Sequence, residues 1–101
     1  MITLEISSKN YADSLLCIKT SLSHMESLLG CYNGYALGEP SSRFGWTFFT
    51  LAFKSDLEDA MSSKFSGMME KYGRAGKEEK FAMFVSDYFS SRGCDARIKA
   101  V

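Results

Sequence analysis

Trp46-Thr47-Phe48-Phe49-Thr50-Leu51-Ala52-Phe53 decides the fold of this chain. β-branched and aromatic residues fill it, and apolar side chains fall on both of its faces, which is the pattern of a central strand. Just before it, Tyr32 to Gly38 reads as a short strand. Glu39-Pro40-Ser41-Ser42 reads as a turn with proline at its second position. The two strands and this turn predict a hairpin. At the start of the chain Ile2, Leu4 and Ile6 alternate with Thr3, Glu5 and Ser7, a half-buried strand. At its end, Asp95 to Val101 points Ala96, Ile98 and Ala100 one way and Arg97 and Lys99 the other.

Helical spacing fills the intervals. Asn10 caps a helix whose apolar stripe is Tyr11, Leu15, Ile18, Leu22, Met25 and Leu29, stopping at Gly30. Ser55-Asp56-Leu57-Glu58 has the form of a capping box and opens a second helix carrying Leu57, Ala60, Met61, Phe65, Met68 and Tyr72, which stops at Gly73. A third helix starts near Lys77 and ends at Gly93, with a wide apolar face of Phe81, Ala82, Phe84, Val85, Tyr88 and Phe89. The predicted order is β-α-β-β-α-α-β, an α+β fold with a small antiparallel sheet and helices packed on it. Without the third helix it is the ferredoxin-like βαββαβ arrangement. No repeat, low-complexity tract or linker divides residues 1–101, so one domain is expected.

Composition agrees with a packed domain. The chain has 101 residues, 46% hydrophobic and 14% aromatic, with one proline, the reverse of a disordered composition. Twelve basic side chains balance twelve acidic ones. A duplex-binding protein normally carries a basic excess, because neutralising phosphates supplies most of its affinity, so this balance disfavours nucleic acid. Residues 1–40 hold two basic and four acidic side chains, and residues 41–101 hold ten and eight, too small an asymmetry to assign a partner. No stretch approaches the roughly 20 apolar residues of a membrane span, and the first residues lack the form of a secretory leader. Cys17, Cys31 and Cys94 make an odd number, which fits free thiols in a reducing cytoplasm better than a disulfide scaffold.

Residues that carry chemistry are sparse. His24 is the one histidine, and it shares the polar side of the first helix with Asp13, Cys17, Thr20 and Ser27. Cys17, His24 and Cys31 are spaced by seven, but seven helical residues advance about 10.5 Å, so the three do not converge on a metal. Pairing Cys17, Ser21 or Ser27 with His24 on an exposed helix face leaves no third group to orient a base. The carboxylates Asp56, Glu58 and Asp59, and Glu78 with Glu79, sit in first turns, where the helix dipole and solvent account for them. Gly30, Gly34 and Gly38 recur every four residues and read as turns and close backbone approach. No cofactor or metal motif is present, and an enzyme is not expected.

The segment Arg43-Phe44-Gly45-Trp46-Thr47-Phe48-Phe49 resembles the aromatic third-strand motif of RNA-recognition-motif domains, and the predicted strand order resembles theirs. In that family, aromatics on the open sheet face stack on splayed bases. The glycine expected between the basic residue and the first aromatic is absent, and the first strand lacks the second stacking aromatic. The resemblance leaves Trp46 and Phe48 as the positions for stacking.

If Phe49, Leu51 and Phe53 face the helices, then Trp46 and Phe48 face away with Thr3, Glu5, Arg97 and Lys99. Two aromatics amid mixed charges read as a binding surface or a dimer face. The alternative is that the third helix lies across them, and the width of its apolar face favours this cover. Lys71, Arg74, Lys77 and Lys80 form a smaller basic patch, largely offset by Glu70, Glu78 and Glu79. The candidate partner-binding residues are therefore Trp46, Phe48, Arg97, Lys99, Arg74 and Lys77. The function expected first is a non-catalytic protein-binding domain, a small inhibitor or antagonist. One specific version is an anti-defence protein of the kind phages and mobile elements encode, such as an anti-CRISPR protein. Its basis is only that the chain is compact and carries no catalytic or cofactor motif. Single-stranded nucleic-acid binding through Trp46 and Phe48 is the alternative, and a small cysteine/histidine enzyme the third reading. A homodimer is compatible with each.

Overall fold

The computed structural model describes residues 2–101. Strand β1 (Ile2–Ser8) is followed by helix α1 (Tyr11–Leu29), then β2 (Tyr35–Leu37), β3 (Ser41–Arg43) and β4 (Trp46–Phe53). Helices α2 (Ser55–Lys64) and α3 (Ser66–Met69), a 3-10 turn (Glu70–Tyr72), α4 (Lys77–Ser91) and β5 (Arg97–Ala100) complete it. The result is an α+β domain with a five-stranded, wholly antiparallel sheet and four helices. The sheet order is β2-β4-β1-β5, with β3 also on β4.

The seven-residue pairing of β1 with β4, from Ile2↔Phe53 to Ser8↔Thr47, sets the two faces. Paired residues share a face, so Ile2, Leu4 and Ile6 lie beside Phe53, Leu51 and Phe49. All six are buried beneath the helices with Ile18, Leu22 and Met25 of α1, Leu57 and Met61 of α2, and Phe81, Val85 and Phe89 of α4. Phe53 and Phe81 meet edge to face, with ring centroids 4.9 Å apart.

Helix α1 forms as its spacing predicts. The Asn10 side chain accepts from the Asp13 amide and donates to the Asp13 carboxylate at 2.8 Å. Its polar side is not all solvated, however. Ser14 and Ser21 are buried, and with half-buried Cys17 they make a stripe of small side chains against the segment that enters β5. Ser14 hydrogen-bonds Ser8 at 2.6 Å and donates to the Asp95 carbonyl at 3.1 Å. Cys17 forms a disulfide with Cys94, closing a separation of 77 residues. Ser21 lies 3.6 Å from the Cys94 sulfur, and the Tyr88 hydroxyl donates to the Ser21 carbonyl at 2.8 Å. The expectation of three free thiols is thus corrected: only Cys31 is free. Spacing along the sequence gave no hint that the end of the chain returns to the first helix.

Three other expectations change. The hairpin turns at Phe44-Gly45, not at residues 39–42. Both residues have positive φ, as a two-residue primed turn requires. Pro40, which has no N–H to give a ladder, sits in the break between β2 and β3. The predicted helix over 55–72 is interrupted at Phe65 and continues as α3 and the 3-10 turn. Tyr72 of that turn donates to Asp87 of α4, and burial first, then this bond and the carboxylate charge, push its phenol up to about 12. The capping box at Ser55 does not form, because Ser55 is itself helical and Lys54 stands at the cap. Glu58, expected in solvent, is 7% exposed.

The bond from α1 to the start of β5 makes a measurable contribution. In a Cys17→Ser, Cys94→Ser variant the unfolding free energy in urea should fall by about 2–4 kcal/mol, with a circular-dichroism spectrum like that of the parent. Equal midpoints for the two proteins would show that the serine stripe and the core hold β5 without it.

Candidate functional site

The face of the sheet turned away from the helices collects four of the six candidate residues. The registers lay them out in rows. Ser41, Phe48, Ser7 and Arg97 lie side by side across four strands. Thr50, Glu5 and Lys99 form the next row, and Arg43 pairs with Trp46. The α4 helix does not cover this surface. Its apolar face, with Phe81, Phe84, Val85 and Phe89, is used up in the core on the other side of the sheet. The expected cover over Trp46 and Phe48 is therefore corrected, and both rings are half-buried by side chains of their own face.

Those side chains are cations. The Arg97 guanidinium lies 4.8 Å from the Trp46 ring centroid and the Lys9 ammonium 5.1 Å. The Arg43 guanidinium lies 5.0 Å from the Phe48 centroid. Each contact is worth about 0.5–1 kcal/mol at an exposed site and costs the cation little of its hydration. Lys99 pairs with Glu5 at 3.3 Å and stays 73% exposed. The face thus carries four cations, Lys9, Arg43, Arg97 and Lys99, against the carboxylate of Glu5. A chain of zero net charge concentrates positive charge here.

Backbone detail keeps the aromatics in place. Gly38 donates to the Thr50 carbonyl at 2.9 Å, and a Cβ at Gly38 would fall 2.2 Å from the Thr50 hydroxyl oxygen. A side chain at Gly38 would require the exposed Thr50 hydroxyl to swing aside. At the hairpin tip, Phe44 takes a left-handed φ of 53° and is 100% exposed. An aromatic residue gains nothing there from folding and costs about 1–2 kcal/mol relative to a glycine. Lys9 did not stand out in the sequence, and Arg43 and Phe44 did so only as parts of the aromatic motif, not as a cation over Phe48 and a hairpin tip. A phenylalanine before glycine in a two-residue hairpin turn was the available clue.

Arg74 and Lys77 are exposed, but not on this face. Arg74 lies in the link before α4, and Lys77 opens α4 beside a hollow lined by Ser62, Ser66, Met69, Glu70 and Lys80. Lys80 of this hollow pairs with Glu70 at 3.6 Å. The structure leaves Arg74 and Lys77 as solvated helix-layer residues, separate from the aromatic face.

The residues weighed for catalysis do not assemble. Cys17 is in the disulfide, Ser21 is buried against Cys94, and His24 is exposed on α1. Among the described residues no three His, Cys, Asp or Glu side chains are grouped to hold a metal ion, and no helix is long and apolar enough to cross a membrane. What the sheet face offers chemically is charge-assisted hydrogen-bond donors on an aromatic bed, a surface matched to carboxylates or phosphates. Comparison of the chain with family models, curated proteins and solved structures finds no match.

Trp46 is the one tryptophan, so its fluorescence reports on this face alone. Iodide should quench it more strongly than caesium at low ionic strength, and the difference should shrink as salt screens Lys9 and Arg97. Equal quenching by both ions would contradict the cationic surface. At the hairpin tip, Phe44→Asn should raise the unfolding free energy by about 1 kcal/mol, since asparagine accepts positive φ more readily than phenylalanine. Destabilisation in urea would mean that Phe44 has a packing role in the folded chain.

Proposed function

We propose that the chain is a non-catalytic protein-binding domain, a small inhibitor or antagonist that docks an acidic surface of a partner on its open sheet face. The observation that carries this reading is the stacking of Arg97 and Lys9 on Trp46 and of Arg43 on Phe48. The rings are already occupied by cations, so the groups presented outward are guanidinium and ammonium donors. Held by the rings, they lose less side-chain entropy when they meet carboxylates. Aromatics and arginines are the residues that carry most binding energy in protein interfaces. Self-association through this face would set like charges against each other, so a monomer is expected. We read β2 and β3 as one interrupted strand and the sheet as a variant of the ferredoxin-like arrangement.

The specific version is an anti-defence protein, anti-CRISPR-like, acting in the cytoplasm of a host cell. Thiols are kept reduced there. The extensive apolar core supports a fold that persists with Cys17 and Cys94 unbonded. The second reading, single-stranded nucleic acid, is favoured by the placement of Trp46 and Phe48 on the open face of a central strand, where stacking aromatics belong. Against it, a base would have to displace Arg97 or Lys9 from Trp46 before it stacked.

Expression in a bacterium protected by an RNA-guided nuclease should restore phage plaques, and Trp46→Ala with Arg97→Glu should remove the effect while Arg74→Glu leaves it. Plaques that stay absent with the parent chain would end the anti-CRISPR version. In parallel, oligothymidine at low salt should leave Trp46 fluorescence unchanged. Salt-sensitive quenching by the oligonucleotide, lost in Arg97→Glu, would move the assignment to nucleic acid.

A further inference from the structure

Strand β5 forms one edge of the sheet with four residues, Arg97–Ala100. On its inner side it pairs with β1, and the ladder continues to Val101, whose N–H donates to the Thr3 carbonyl at 3.4 Å. In an antiparallel ladder successive residues turn their N–H and C=O groups alternately to the two sides. Arg97 and Lys99 therefore turn inward as Val101 does, and Ile98 and Ala100 turn their backbone groups outward to the edge. No described strand pairs with that edge. Alongside it, between β5 and α4, runs a groove of about 320 Å³ lined by Tyr72, Ala82, Met83, Ile98 and Ala100, with Glu79 and Asp87 as its acids. Met83 is 43% exposed in it.

We propose that β5 accepts an extended segment of a partner protein as an added strand, with apolar side chains turned into the α4 groove and carboxylates at the alternating positions. This rests on the reading of the sheet face as the interaction surface, because the added strand would extend that face. The charge pattern selects the occupant. Arg97 and Lys99 flank the outward-turned Ile98 on the open face, Arg97 leaning inward to Trp46 and Lys99 to Glu5, and carboxylates on an added strand would draw both cations toward the edge. Glu5 partly answers Lys99 but lies one strand inward. A second copy of this chain is a poor occupant. Antiparallel pairings of β5 with itself centred on Arg97, Ile98 or Lys99, apolar side inward, set these cations against one another. Backbone donors and acceptors in alternation, an apolar groove on one side and cations on the other are the elements of strand-addition recognition.

The probe is a capped peptide, Glu-Val-Glu-Val-Glu, titrated at millimolar concentration into the isotope-labelled chain, beside Lys-Val-Lys-Val-Lys. The acidic peptide should shift the amide resonances of Ile98 and Ala100 and slow their hydrogen exchange, and the basic one should not. Ala100→Pro removes one outward donor while leaving the inward pairing of Lys99 and Val101, and should weaken binding about tenfold. N-methylation of the peptide valines removes the same bonds from the other partner, and tests the idea even where the proline variant fails to fold. Lys99→Glu should weaken the acidic peptide and admit the basic one. Absence of any shift with the acidic peptide, equal binding of the basic one, or affinity unchanged by N-methylation would overturn strand addition. Shifts confined to Trp46 and Phe48 would also overturn it, and would leave the sheet face standing as a carboxylate-binding surface without an added strand.

Discussion

The register of β1 against β4 is the constraint on which the rest depends. It places Ile2, Leu4 and Ile6 beside Phe53, Leu51 and Phe49 over the helices, and in the same stroke turns Trp46 and Phe48 outward. A slip by one residue would send every side chain of β4 to the other face, burying Trp46 and Phe48 and exposing three large core residues. At about 25 cal/mol per Å² of apolar surface, three such side chains amount to several kcal/mol, comparable with the whole stability of a small domain. The outward position of the aromatic pair is therefore not a local preference of those residues. It is fixed by the burial of their neighbours.

Alternation made the faces legible in the sequence, because strand period and burial are the same fact seen twice. The stripe of α1, the position of α4 and the outward set Trp46, Phe48, Arg97 and Lys99 follow from it. Three features did not follow, each for a physical reason. The hairpin turn moved to Phe44-Gly45 because Pro40, the strongest turn former nearby, is also tolerated in a break along an edge strand. The Cys17–Cys94 bond joins positions whose proximity depends on the whole topology, which spacing along the chain does not contain. The expected cover over Trp46 failed because the wide apolar face of α4 is consumed by packing against β4, β5 and the segment around Phe65, as the Phe53–Phe81 and Phe65–Phe84 ring contacts record. Arg74 and Lys77, read from the sequence as a separate basic patch, lie in the link before α4 and at its start.

Net charge was the weakest guide of all. Twelve cations balance twelve anions, yet Lys9, Arg43, Arg97 and Lys99 meet from three separate parts of the chain: the residue after β1, the end of β3, and β5. Only the sheet brings them together. The acidic residues that cancel them in the sum lie mostly in the helices, with Asp56, Glu58, Glu78 and Glu79 in first turns, where the dipole favours them. A neutral total is thus compatible with an uneven surface, acids outnumbering bases in the helices and cations outnumbering Glu5 on the sheet face, and an uneven field of that kind orients an approaching partner before contact.

The position of β5 has an unusual dependence within this scheme. Four residues of strand have few ladder bonds to hold them, and Ile98 and Ala100 are only half-buried against the core. To its pairing with β1 and its packing on α4, the structure adds a tied approach. Asp95 is bonded by Ser14, and Cys94 by Cys17 and Ser21, three small side chains of α1 on one helical face. The polar stripe of the first helix, which a sequence reading assigns to solvent, therefore holds the segment that leads to Arg97 on the far side of the sheet. The two are linked by one short segment, residues 94–97, and the mechanical identity of the proposed binding surface rests on how firmly that segment is held.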